Sequence, residues 1–552
     1  MKQFFPSFLL VLLLLGCSAA RAQYMPAPIA HRGVYELLDE LAAAHIIELH
    51  SVTKPYGRSE IARLLKEAGA KNEQLNLRQK EEVAFYMMDY LKEEKGAGNR
   101  AVEYKAAWLW FNKRPGDRLD LFHYRDTSFQ LTVNPVFGID HFGNNNGSYY
   151  HWWNGAEAWS TWGRFSFYGS LRDNHESTVL TGRSLINQNQ GAANIKGFSD
   201  GSIDYEEMRG GVTYGWDRGH IGIMMDPFSW GEAWNGTNIL SGRAPSFARL
   251  ELSLNPVKWF RFEYIHGSLI SEVVDSSRSY WITNAYGSTY REVYQPKFIA
   301  ANFFTFTPFR YMELSIGNSV VYDFEEMNLA FFIPTVFFKA IDHALNAGID
   351  NMNSAMFMTF STRNIRDFHF YLNLFVDELQ IARITDPSRH NFLSWKGGVA
   401  CYLIPNLRLV GEYTWNNALV FRHFVPTTTF ESNGYNLGSY IGDNAREVFI
   451  QAEFRPWRTA RFTAWYDQIS KGPDHTLLGT AQRDAIQPFV PIVWESRKIG
   501  ILASFEVVND LYLRLGYEYR MITGVEEYIN LWTPVIEQGI GGTLRLGINI
   551  GF

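Results

Sequence analysis

At 552 residues, 46% hydrophobic and 16% aromatic, the chain has room for one large domain and a small companion. Its net charge of −6 argues against nucleic acid as a partner, which calls for a basic face. Mean hydropathy is −0.19, and no apolar run beyond the N-terminus approaches the roughly 20 residues of a helical span, so a bundle of membrane helices is excluded.

Residues 1–22 read as a secretory leader. Lys2 precedes an apolar run from Phe8 to Leu15, and Ala20 and Ala22 flank Arg21 in the small-x-small pattern of a cleavage site. Leu14-Leu15-Gly16-Cys17 is the rival reading, a lipoprotein site that Leu15 fits poorly. Cleavage near Gln23 takes the charge to −8 and leaves Cys401 as the sole cysteine. The mature chain then has no internal disulfide, although its compartment is oxidising.

Residues 23–100 carry a helical period. Val34, Leu37, Leu38, Leu41, Ala42 and His45 recur at three- and four-residue steps. Ser59 is placed to cap a second helix with Ile61, Ala62, Leu64, Leu65 and Ala68 on one face, ended by Gly69. A third helix, from about Leu77 to Lys92, has Val83, Tyr86, Met87 and Tyr90 as its stripe. This predicts a small helical bundle, with a linker at 101–126. If the termini of the following domain face the periplasm, the bundle lies there too and could touch a periplasmic partner.

From residue 127 to 552 the period becomes two. Tight turns are expected at Asn255-Pro256-Val257-Lys258, Thr307-Pro308-Phe309-Arg310, Ile404-Pro405-Asn406-Leu407, Arg455-Pro456-Trp457-Arg458 and Val508-Asn509-Asp510-Leu511, with a weaker one at Trp162-Gly163. Two strands and one long polar loop separate successive turns, the asymmetry of an outer-membrane barrel. Leu511, Leu513, Leu515, Tyr517 and Tyr519 alternate with Tyr512, Arg514, Gly516, Glu518 and Arg520. Phe260, Phe262 and Tyr264 alternate with Arg261 and Glu263 in the same way. The count is about eighteen strands, even as bacterial barrels require. The fold class is therefore an all-β transmembrane antiparallel barrel with an N-terminal α-helical bundle. The aromatics suit interfacial girdles or a carbohydrate-binding surface equally.

The last strand alternates Leu544, Leu546, Ile548 and Ile550 with Arg545, Gly547 and Asn549, and ends on Phe552. Such a strand must pair with the first to leave no edge in lipid. A C-terminal aromatic is the signal that barrel-assembly machinery reads. Inward charges have both signs: Arg249 with Glu251, Arg261 with Glu263, Arg408 with Glu412, and Glu518 with Arg514, Arg520 and Arg545. Interleaved pairs predict a partly or wholly occluded lumen, whereas an ion-selective pore calls for a ring of one sign.

Several segments resemble the Wzi family of capsule-assembly outer-membrane proteins. They are Tyr35-Glu36-Leu37-Leu38-Asp39-Glu40-Leu41-Ala42, Lys54-Pro55-Tyr56-Gly57-Arg58-Ser59-Glu60-Ile61-Ala62, Trp230-Gly231 followed by Asn238-Ile239-Leu240-Ser241-Gly242-Arg243-Ala244-Pro245, Phe375-Val376-Asp377-Glu378, and Gly442-Asp443-Asn444-Ala445. The resemblance covers nearly all of the mature chain. It implies an eighteen-stranded barrel with a periplasmic helical bundle, and a surface lectin that attaches capsular polysaccharide to the outer membrane.

Candidate polysaccharide contacts are Asp226, Trp230, Glu232, Trp234, Asn235 and Arg243, expected in a long outer loop. Indole faces stack on a pyranose, amides and carboxylates bond its hydroxyls, and Arg243 could pair with a uronic acid. The alternative is that Trp230 and Trp234 pack against the barrel rim. Asp377, Glu378 and Asp443 are either further sugar contacts or loop anchors. Asp342-His343, in a helix expected at 337–345, and Asp474-His475 are sequence neighbours and form no dyad. Metalloprotease, hydrolase-elbow and phosphate-loop motifs are missing. No enzyme, metal or cofactor is therefore expected. Three functions stand: a glycan-binding anchor at the cell surface, a channel for oligosaccharides or ions, and a structural or secretion-accessory barrel. The expected partners are capsular or extracellular polysaccharide, outer-membrane lipid and the assembly machinery.

Overall fold

The computed structural model describes residues 23–90, 92, 101–104, 120–126, 128–186, 191–285, 287–345, 351–384, 391–475, 486, 489–508 and 510–551. The leader expected at 1–22 and the terminal Phe552 lie outside the described residues.

Among them, eighteen antiparallel strands close one barrel. In chain order these are β1 (Phe129–Asn144), β2 (Gly147–Trp162), β3 (Phe165–Glu176), β4 (Ile203–Trp216), β5 (Gly219–Met225) and β6 (Arg249–Val257). There follow β7 (Phe260–Ser268), β8 (Phe298–Phe309), β9 (Met312–Tyr322), β10 (Met352–Thr362), β11 (Phe368–Glu378) and β12 (Phe392–Cys401). The circuit ends with β13 (Leu407–Asn416), β14 (Ala445–Trp457), β15 (Ala460–Lys471), β16 (Trp494–Val508), β17 (Leu511–Gly524) and β18 (Ile540–Ile550). β18 pairs with β1 from Leu544 opposite Gly143 to Ile550 opposite Phe137. The expected closure of the last strand on the first is therefore present. Phe122–Arg125, within the segment expected to be a linker, pairs with the start of β1.

Side-chain parity follows the sequence. Leu513, Leu515, Tyr517 and Tyr519 are exposed on the outer wall, as are Leu544, Leu546 and Ile548. Arg514 and Arg545 point inward to Asp140. The turns sit slightly later than expected at three places. Pro256, Pro308 and Pro456 lie inside strand ends, where the ladder skips between Leu254 and Val257, Phe306 and Phe309, and Phe454 and Trp457. Proline has no N–H to give the ladder, so a bulge absorbs it and the hairpin turns only afterwards.

The helices are α1 (Arg32–Ala43), α2 (Arg58–Ala70) and α3 (Leu77–Tyr90). Their shared core holds Val34, Leu37, Leu38 and Leu41 with Ile61, Leu64, Leu65, Ala68, Val83 and Tyr90. The N-cap of α2 is Gly57 and not Ser59, and the helix runs past Gly69 to Ala70. Ser59 instead donates to the Gln23 carbonyl at 3.2 Å.

A second face of α1 decides where the bundle sits. Glu36, Asp39 and Glu40 fall at helical steps of three and four, so they share one side. All three are buried. They meet arginines at the short-turn ends of the strands. Glu36 lies 3.4 Å from Arg408 and 2.7 Å from Arg461. Asp39 pairs with Arg363, and Glu40 with Arg455. Glu82 of α3 is 3.3 Å from Arg455. The bundle is thus seated in the short-turn mouth of the barrel.

Removing one member of a buried ion pair strands the other, at a cost of about 3–5 kcal/mol. Arg363→Ala is therefore expected to lower stability by about 3–5 kcal/mol in urea unfolding of the refolded barrel, with Arg363→Lys milder. A loss within about 1 kcal/mol would mean the pair is worth no more than a surface one.

Burial alone would raise the Glu36 carboxyl, but Arg461, Arg408, Arg455 and Arg32 hold it down at about 2. A depressed carboxylate stabilises docking fully above its ordinary value of 4.5 and loses that contribution as the pH falls toward 2. Hydrogen-exchange protection of the α1 amides should fall across this window in the wild type, and less in Glu36→Gln. Equal acid sensitivity in both would assign it to other groups.

Candidate functional site

The segment between β5 and β6, residues 226–248, was expected among the outer loops. It runs down into the lumen instead. Ser229–Trp230 pairs with Thr53–Lys54 of the bundle region, and Gly231 N donates to the Val52 carbonyl at 2.8 Å. Gly231 has φ of 98°, and a Cβ there would stand 2.5 Å from Thr237 Oγ1, so only glycine makes this turn without strain. Trp230 is 3% exposed and stacks on Phe303 with centroids 5.3 Å apart. It is a core side chain and offers no face to a sugar.

Glu232 is the hub of this inward loop. Its carboxylate accepts from Ser51 Oγ and from Ser361 Oγ, lies 3.5 Å from Lys54 Nζ, and is close to Arg363 and His369. Asn373 Nδ2 donates to its carbonyl at 2.6 Å. One residue therefore ties the loop to the bundle and to the wall. Trp234 N and Asn235 N both donate to Glu412, at 2.6 and 3.0 Å. Lys396 lies 3.0 Å from Glu412 and 3.4 Å from Glu447. Arg408 covers the Trp234 ring at 3.9 Å. Arg243 donates to Asn235 Oδ1 at 2.7 Å and lies 3.9 Å over Tyr440, so one of its faces is already engaged. Asp226 is buried 3.0 Å from Arg249.

Of the other expected contacts, Glu378 and Asp443 are tied to loop segments. Glu378 is 3.1 Å from Arg383, and Asp443 accepts from Phe421 N at 2.9 Å. Asp377 lies on the rim of a groove on the outer wall. The inward charges cross-link more widely than expected. Arg249 does pair with Glu251, at 2.9 Å. Arg261 reaches Glu60 of the bundle at 3.1 Å, and Arg408 reaches Glu36 and Glu453. Glu263 accepts from Ser253 Oγ at 2.9 Å, and Arg520 bonds Thr543. The lumen is obstructed chiefly by bundle and loop, with wall pairs in support.

Space remains along the wall made by β1–β4 and β15–β18. A cavity of 570 Å³ reaches from Leu180, Thr181 and Ile536 at the long-loop side to Ala30 and Asn549 below. This is within the ~300–1,000 Å³ of ligand sites. Arg545 Nη2 is 2.7 Å and Arg514 Nη2 3.5 Å from Asp140. Arg172 lies 3.3 Å from Glu207 and 4.3 Å over the Trp153 ring. Gly547 leaves the room, since a Cβ there would meet Asp140 Oδ1 at 2.0 Å. Arg514 Nε, Arg545 Nε, Arg172 Nε and Trp153 Nε1 make no hydrogen bond among the described residues. Glu518 lines the same cavity. Among the described residues no group of three or more His, Cys, Asp and Glu is disposed to hold a metal.

The long-loop face carries one feature unremarked in the sequence. Tyr280–Asn284 and Gly287–Arg291 form a separate hairpin. Trp281 is 68% and Tyr290 41% exposed, and they face each other across the hairpin with centroids 5.3 Å apart. Thr283, Asn284, Ser288 and Thr289 are exposed beside them. Its base is fixed by Asp275, which accepts from Ser277 N at 2.9 Å and pairs with Arg278. Aromatics alternating with Ser, Thr and Asn over Ser279–Arg291 were the available signal.

No protein-family model matches the chain, and no curated protein matches it in sequence. Solved structures do match in fold. Wzi of Escherichia coli, described as an outer-membrane, carbohydrate-binding β-barrel involved in group 1 capsule assembly, superposes with a TM-score of 0.56 at 12% identity, over 97% of this chain and 100% of that one. OccD3 of Pseudomonas aeruginosa and OccAB3 of Acinetobacter baumannii match with TM-scores of 0.41 and 0.40, each at 10% identity and over 76% of this chain. They cover 90% and 99% of those chains. The resemblance to the Wzi family therefore extends to the whole fold. The closed barrel and its apolar outer wall place the protein in the outer membrane.

Trp230→Ala should cost about 3–5 kcal/mol of stability, as large aromatic truncations in cores do. Any affinity for a sugar should be unchanged in the fraction that folds. A stable variant with lost sugar binding would return Trp230 to the ligand site.

Proposed function

We propose that the protein holds a surface polysaccharide, capsular or extracellular, at the outer membrane as a lectin without catalytic activity. In this reading the short turns and the bundle face the periplasm and the long loops face outward. The observation that carries it is the stoppered lumen. Buried ion pairs seat the bundle in one mouth, and Glu232 ties the inward loop to that same floor. A stopper fixed by buried charge suits retention better than passage. On the opposite side, Trp281 and Tyr290 offer flat apolar faces to pyranose rings. The cavity donors Arg172, Arg514 and Arg545 would serve an acidic or hydroxyl-rich sugar unit. The carbohydrate binding described for the Wzi barrel, which shares this fold, supports the same reading.

A channel is the second reading, favoured by the cavity's reach along the β1–β4 and β15–β18 wall. Planar-bilayer conductance of the refolded protein, with and without extracted surface polysaccharide, separates the two. The lectin is expected to be closed yet to retain polysaccharide. Trp281→Ala with Tyr290→Ala should then weaken retention roughly tenfold, a change of about 1.4 kcal/mol. A steady open current blocked by sugars would make the protein a channel.

A further inference from the structure

The loop after β9 does not stand over the barrel mouth. Residues 323–345 fold back along the outside of the wall. Tyr264, Asn302, Asn318, Met356 and Val376 form one row across β7–β11. The row is outward, because the alternate positions Ile265, Ala301 and Ala355 pack inside with Trp230. Two asparagines on such a wall need partners, and the loop supplies them. Asn302 Nδ2 donates to the Pro334 and Val336 carbonyls at 3.0 and 2.9 Å. Phe338 N donates to Asn318 Oδ1 at 2.9 Å, and Tyr264 Oη donates to the Phe331 carbonyl at 2.7 Å. Phe331 and Phe338 are fully buried in the cluster that includes Phe262 and Tyr264. This explains why those two residues, outward by the parity of β7, are covered.

The loop's own outer side is mainly apolar over Leu329–Phe337, with Lys339 and His343 exposed beyond it. Leu329 is 81% and Ile333 52% exposed, with Phe332 and Phe337 beside them. Between Phe337 and the wall lies a groove of 460 Å³. Its sides are Ile316, Met356, Met358, Leu374 and Val376, and Lys339 and Asp377 stand among its lining residues. Ile316, Met356 and Met358 are exposed members of the belt that faces lipid. The groove is therefore continuous with the membrane-facing surface. Asn302 is four residues inside β8, about 13 Å along the strand at ~3.3 Å per residue, so the loop reaches well below the rim.

We propose that residues 328–345 lie in the outer leaflet of the membrane, and that the groove behind Phe337 takes an acyl chain of an outer-leaflet lipid. The loop replaces bare strand wall with a lipid-facing bracket. It satisfies the polar groups of Asn302 and Asn318 and carries the apolar belt outward over them. The assignment is independent of the ligand the barrel holds.

Nitroxide labels at Leu329→Cys, Ile333→Cys and Phe337→Cys test it, in a Cys401→Ser background reconstituted into phosphatidylcholine vesicles. Glu325→Cys is the aqueous control. Collisions with oxygen should exceed those with a water-soluble nickel complex severalfold at 333 and 337, and the order should reverse at 325. Nickel access at both 333 and 337 would overturn the proposal. So would exclusion of both reagents together with a cross-linked dimer, which would show a second copy covering this face. Should the loop labels impair folding, a bimane at Met358→Cys reads the groove from the wall. Quenching by doxyl-labelled acyl chains is expected there, and no quenching would overturn the lipid assignment.

Discussion

The structure depends on how an eighteen-stranded ring disposes of its interior. A ring of that size encloses more space than side chains alone can fill. This chain fills it with its own N-terminal helices, and the join is electrostatic. Glu36, Asp39 and Glu40 occupy one side of α1, and Arg363, Arg408, Arg455 and Arg461 converge on them from the wall. Charges so buried are tolerable only when every one is paired. The seam therefore fixes the angle and depth of the bundle far more sharply than an apolar contact of the same area would. Everything placed later, the inward loop above all, is placed against that floor.

Three long connections then take three directions for separable reasons. Residues 226–248 turn inward because Glu232 finds Arg363, and the backbone of Trp234 and Asn235 finds Glu412, on the lumen wall. Residues 323–345 turn outward because Asn302 and Asn318 would otherwise expose amides on a membrane wall. The hairpin Tyr280–Asn284 with Gly287–Arg291 meets neither demand and projects from the rim.

The barrel itself was legible in the sequence. A period of two is local, and once one strand's oily face is known the parity of Leu513 or Leu544 follows. The bundle was legible for the same reason, at a period of 3.6. Turn tips near Pro256, Pro308 and Pro456 came out early because proline signals a break whether it sits in a turn or in a bulge beside one. The direction of a loop is another matter. Trp230, Glu232 and Trp234 read alike whether they face sugar or the lumen, since both surroundings reward aromatic and acidic side chains. Only the partners, Phe303, Ser361 and Glu412, decide it, and these are distant in the chain. The acidic side of α1 was visible as spacing, but nothing local said that its cations would come from the barrel.

The inward loop has a mechanical consequence. It leaves the long-loop rim, descends through the lumen, and is fastened by Glu232 to Ser51 and Lys54 beneath. The two rims of the barrel are therefore joined by a strut as well as by the wall. Tension applied from outside is divided between the strand ladder, which is loaded along its length, and a set of short ionic contacts across the interior. A cylinder braced in this way resists ovalisation as well as extension, and it does so within the lumen, where Asn373, Lys396 and Glu412 of the wall hold the loop.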